Sequence, residues 1–172
     1  MSGFRTHVAL VLGLTVASGA AAPASATPSL GEVRIASEQT RQTWGACGIS
    51  SSSSKTVATF VRYGVAKAYL WRGTERWGFR HIQAGHASQF ATVAAGTNLA
   101  GNWRYMADYA IRNVPISPSA SVYQGANKYC CSHQLALRDA RTGNVIRRQT
   151  FRVVVDLVQR KILTAFPSRS AC

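Results

Sequence analysis

The chain has 172 residues, with 20 Lys and Arg against 6 Asp and Glu, a formal net charge of +14. That length limits it to one domain around a single core. The charge draws polyanions such as nucleic acid, cell-wall polymers or anionic lipid, and exceeds what solubility alone asks for. No GxxxxGK[ST] or GxSxG motif occurs, so nucleoside triphosphatase and α/β-hydrolase readings have no support.

Residues 1–26 read as a secretory signal peptide. Arg5 supplies the positive start, "VALVLGLTVA" (8–17) the apolar region, and "ASA" before Thr27 the cleavage signal. The apolar run is too short to span a bilayer, and the competing reading is an uncleaved N-terminal anchor. Secretion to the cell exterior is therefore expected. Export would bring Cys47, Cys130, Cys131 and Cys172 into an oxidising compartment and form two disulfides. A bridge between the adjacent Cys130 and Cys131 is strained, so each is expected to pair with Cys47 or Cys172. Zinc is the alternative, but no CxxC or His-xxx-His unit supports it.

Residues 27–54, ending in a serine run, read as a loop segment, and the folded domain is expected over 55–172. In 55–71 the apolar residues Val57, Phe60, Val61, Val65, Ala68 and Tyr69 approach helical spacing, which predicts a helix despite Gly64 and several β-branched residues. Residues 75–93 predict a short helix ending near Gly85. Residues 101–114 predict a helix capped by Asn102, with Trp103, Met106, Tyr109 and Ile111 on its apolar stripe and Pro115 beyond its end.

The period then becomes alternating. Residues 131–139, 145–156 and 161–167, joined by "ARTGN" (140–144) and "LVQR" (157–160), predict three strands in an antiparallel meander. The fold class expected is α+β, with N-terminal helices followed by an antiparallel β-meander in one domain. On 145–156, Arg148, Thr150 and Arg152 share one parity, and Phe151, Val153 and Val155 the other. One sheet face should therefore be basic, either a seat for a nucleic-acid backbone or a solvated outer face.

The chemistry concentrates in "RWGFRHIQAGH" (76–86), which holds His81 and His86. Five residues on a helix turn through about 500°, roughly 140° off a shared face, so the pair cannot chelate one metal as i, i+4 histidines do. If the helix ended at Gly85, His86 could swing back beside His81. Two imidazoles can then serve as general base and general acid near neutral pH. The bland alternative for each is a core histidine. Trp71, Trp77, Trp103 and Tyr105 read as core aromatics before base-stacking ones.

"GFRHIQAGH" resembles the glycine–aromatic–x–His–aliphatic–x–x–x–His signature of bacterial toxin endoribonucleases of the barnase/EndoU/colicin D/RelE-like group, and "FRVVVDLVQRKILTAFP" is similar to their final hairpin. The likeness covers about residues 75–167. It implies a monomeric endoribonuclease needing no metal or other cofactor, which cleaves RNA through the ribose 2′-hydroxyl and leaves a 2′,3′-cyclic phosphate. His81 and His86 would be the acid/base pair, and Thr164 the hydroxyl at the scissile phosphate. Arg152 would stabilise the phosphorane, with Arg80, Arg148 and Lys161 binding RNA. The partner implied is RNA, with room for a cognate inhibitor or immunity protein. Unlike group members that tip a long delivery protein, this chain reads as a short secreted domain. The rival reading is a non-catalytic basic protein of the cell exterior that binds extracellular nucleic acid or wall polymers.

Overall fold

The computed structural model describes residues 32–34, 52–61, 67–97, 102–139 and 142–172. The expected signal peptide and Cys47 lie outside these residues. The order is β1 (Glu32–Arg34), β2 (Thr56–Val61), β3 (Lys67–Trp71), α1 (Gly78–Ala95), α2 (Trp103–Asn113), β4 (Ala120–Tyr123), β5 (Lys128–Arg138), β6 (Val145–Asp156) and β7 (Lys161–Ser168). The strands form one mixed sheet in the order β1-β5-β6-β7-β3-β2, with β4 also on β5.

The α+β class holds, but two expectations are corrected. The helices stand mid-chain rather than N-terminally, because Thr56–Val61 and Lys67–Trp71 form the antiparallel pair β2 and β3. Thr56, Val57, Thr59 and Val61 are β-branched and favour a pleated surface. The apparent helical spacing arose from two short strands read as one element. In β3, Ala68 and Leu70 are buried while Lys67, Tyr69 and Trp71 lie further out, a period of two. The sheet is also not a pure antiparallel meander. The β5–β6–β7 meander is present, but β3 joins β7 in parallel and β1 joins β5 in parallel. β1 and β4 went unread, β1 within the segment expected to be loop.

Helix α2 begins as its sequence asks. The Asn102 side chain accepts from the Arg104 backbone N–H at 3.1 Å, satisfying one of the free donors of the first turn. Both helices contribute to one core. Phe79, Ile82 and Phe90 of α1 and Met106 and Ile111 of α2 are buried with Leu135 and Leu137 of β5 and Phe151, Val153 and Val155 of β6. Phe90 stacks on Phe151 at 6.0 Å.

The cross-strand register gives Arg148, Thr150 and Arg152 the side of β6 opposite that core. Part of this outer side is covered by the C-terminus. Cys172 is disulfide-bonded to Cys130, its N–H donates to Ser132 Oγ at 3.1 Å, and Arg152 donates to the Ser170 carbonyl at 3.0 Å. Cys131 is buried and unbridged among the described residues.

Candidate functional site

A tight turn leads into α1. Gly73 and Gly78 both have positive φ, and a Cβ on Gly73 would come within 2.8 Å of Gly78 Cα, so the two backbones meet at a separation only glycine permits. The Thr74 N–H donates to the Trp77 carbonyl at 2.9 Å, closing the turn with Glu75 and Arg76 at its tip. From that tip the Glu75 carbonyl reaches His81 Nδ1 at 2.7 Å. A carbonyl oxygen only accepts, so Nδ1 carries the proton. The neutral ring then keeps its lone pair on Nε2.

α1 does not end at Gly85. It continues to Ala95, so His86 stays on the helical path, contrary to the expected break. The two imidazoles meet nonetheless, with centroids 5.3 Å apart and planes at 82°. Gly85 lies on the arc between them, and its missing side chain leaves that arc bare.

His86 Nδ1 bonds the Gln89 side-chain oxygen at 3.2 Å, and its ring stacks on Phe166 of β7 at 5.0 Å. Half-burial lowers its pKa, the Gln89 bond raises it and the neighbouring His81 lowers it, for a net value below the ordinary 6.5. Each imidazole thus has Nδ1 anchored, and among the described residues no hydrogen bond occupies either Nε2, the nitrogen that proton transfer would use.

The other expected residues divide between near and far. The Lys161 ammonium lies over the ring of Trp77, the residue before α1, 4.5 Å from its centre. Arg80 follows Phe79 on α1 and pairs loosely with Glu75 at 3.6 Å. Thr164 shares a side of β7 with Phe166, two residues on, and its Oγ1 is buried without a hydrogen-bond partner among the described residues. Arg152 lies opposite Phe166 in the register, but its guanidinium is engaged by Ser170, with a second bond to Ser170 Oγ at 2.7 Å. Arg148 is exposed on the outer side of β6. The two histidines meet, Lys161 is drawn to Trp77, and Arg152 is committed to the C-terminus.

Sequence reasoning missed Gln89 and Phe166 as neighbours of His86, and Glu75 as the anchor of His81. Only Phe166 left a signal, as the aromatic of the terminal motif. Among the described residues no group of three or more His, Cys, Asp or Glu could hold a metal ion. No helix there is long and apolar enough to cross a membrane.

No family model matches the chain. It is similar to a protein of Mycobacterium tuberculosis, described as uncharacterized in strains CDC 1551 and H37Rv alike. The identity is 32% over 136 residues, covering 72% of this chain and 49% of the relative. The chain thus spans about half the length of the curated relatives it matches.

Proposed function

We propose that this protein is a secreted endoribonuclease that works by general acid/base catalysis without a metal. The observation that carries the reading is the imidazole pair: two rings 5.3 Å apart, each held at Nδ1 with Nε2 left for chemistry. His86, whose neutral form is favoured, is the base. It takes the proton of a ribose 2′-hydroxyl as that oxygen bonds to phosphorus. The bond from phosphorus to the 5′-oxygen breaks, and protonated His81 supplies the leaving oxygen's proton. The products are a 2′,3′-cyclic phosphate and a free 5′-hydroxyl.

Charge that develops on the phosphorane needs fixed cations and donors nearby. Lys161, over the Trp77 ring, and Arg80, paired with Glu75, are the cations this reading uses, and the Thr164 hydroxyl, unpartnered among the described residues, is a further donor. A cognate inhibitor would have to cover the two imidazoles.

The test is cleavage of RNA by the purified protein in EDTA. The expected products carry 2′,3′-cyclic phosphate ends, and DNA, which lacks the nucleophile, stays intact. A requirement for a divalent metal, or equal cutting of DNA, overturns the mechanism. Salt-dependent RNA binding with no cleavage replaces it with the basic binding protein of the cell exterior.

A further inference from the structure

Beside the imidazole pair the turn before α1 opens into a cleft of about 530 Å³ lined by Thr74, Glu75, Arg76, Trp77 and Arg80. We infer that this cleft is a subsite for one nucleotide of single-stranded RNA next to the scissile bond, with its base against Trp77 and its phosphate on Arg76. The position relative to the scissile bond rests on the nuclease reading; the binding itself does not.

Three observations carry the inference. First, Trp77 is held for a partner rather than sunk in the core. Its ring is half-buried, with Lys161 at 4.5 Å from its centre and Trp71 at 6.0 Å edge-on, so it is fixed in orientation while part of its surface borders the cleft. A rigid indole is a stacking platform that accepts any base, because every base has a π-face.

Second, the cations are divided. Arg80 is drawn to Glu75 at 3.6 Å, whereas Arg76 is exposed and its guanidinium has no ion-pair partner among the described residues. Its backbone N–H is held by Thr74 Oγ1 at 3.2 Å, which fixes where the side chain starts. A guanidinium matches a phosphate with two parallel donors.

Third, the cleft shares a wall with the site. Glu75 lines the cleft and its carbonyl anchors His81, so one residue borders both.

The test uses the full chain and a fluorescent 2′-O-methyl RNA octamer, which cannot be cleaved because its 2′-oxygen is blocked. Binding is read by anisotropy for the parent, Trp77→Leu and Arg76→Ala, with octamers made abasic at each position in turn. Trp77→Leu should weaken binding about tenfold, the usual scale of one stacked base. One abasic position should weaken the parent equally yet leave Trp77→Leu unaffected, since both changes delete the same contact. Arg76→Ala should lower the salt slope by about one. Should Trp77→Leu fail to fold, Trp77→Phe keeps a ring and should bind within a few-fold of the parent, with the same abasic position still weakening it. A folded Trp77→Leu that binds like the parent, or no position coupled to Trp77, overturns the subsite. A parent that shows the coupling but cleaves no RNA keeps the subsite and removes the nuclease.

Discussion

The ring of His86 lies against that of Phe166, centroids 5.0 Å apart and planes at 24°, so a helix residue and a residue of the last strand together hold one imidazole. Apolar cover over one face of the ring disfavours its charged form. The His86 proton should therefore leave at a pH below the ordinary 6.5, as an NMR titration of its ring protons would show. Removing the Gln89 bond, which favours the charged form, should lower the value further in Gln89→Met. The unfolded chain binds this proton at higher pH than the folded one. Stability should thus fall as pH drops from about 6.5 toward the folded value, and that part of the decline should vanish in His86→Gln. A ring that titrates above 6.5 contradicts the burial argument.

Replacing either imidazole should remove proton transfer while leaving binding nearly intact. His81→Ala and His86→Ala are expected to lose about 10²–10⁴-fold in RNA cleavage, because each removes one acid/base group. Affinity for an uncleavable RNA should stay within a few-fold, since each change removes at most one of the many contacts a basic protein makes to the RNA backbone. Circular dichroism and melting must match the parent for the comparison to count. Folded variants that cleave at the parental rate would exclude the pair as catalysts.

Arg152 should behave as a stability residue, contrary to the role its sequence position suggests. Its guanidinium holds Ser170 beside the Cys130–Cys172 bridge. Arg152→Ala should lower the urea midpoint, with a smaller effect on the salt slope of RNA binding than Arg76→Ala. Cys172→Ser opens a loop of 42 residues and should cost about 3–4 kcal/mol by the chain-entropy estimate. Unchanged denaturation curves would mean that the C-terminus does not brace the sheet.

Thr164 offers a discriminating substitution. Its buried Oγ1 has no partner among the described residues, so Thr164→Val deletes an unsatisfied hydroxyl at nearly constant volume and should leave stability equal or raise it by up to about 1 kcal/mol. If the hydroxyl serves the phosphorane, cleavage should nonetheless fall by at least about tenfold. Full activity in a folded Thr164→Val protein would remove it from the site.

Two glycines of the motif should respond in opposite ways. A Cβ at Gly85 would meet nothing within 4 Å, and the residue sits in mid-helix, so Gly85→Ala should stabilise by roughly 0.5–1 kcal/mol. Gly78 has φ +79° and its Cβ would come 2.8 Å from the Trp71 carbonyl oxygen. Gly78→Ala should destabilise by more than about 1 kcal/mol and loosen the turn that anchors His81. Thermal melts of the two variants decide the matter.

Local pattern alone determined much of this protein. Asn102 marked the start of α2, the alternation of Arg148, Thr150 and Arg152 with Phe151, Val153 and Val155 set the two sides of β6, and β7 followed from its apolar run; these signals reside in neighbouring side chains. Tertiary structure decided the rest, for reasons local pattern does not contain. Thr56–Val61 and Lys67–Trp71 became strands because β3 pairs with β7 and Phe60, Ala68 and Leu70 join the core with the helices, and that partnership overrides a weak helical spacing. α1 runs past Gly85 because Phe90, Val93 and Ala94 beyond it are buried in the core, and that burial outweighs one glycine's entropy. The pairing of His81 with His86 depends on an unbroken helix, a carbonyl from the turn before it and a ring from a strand 80 residues later in the chain. The place of Arg152 depends on a C-terminus tied back by a disulfide. Such contacts join residues far apart in sequence, and no local periodicity records them.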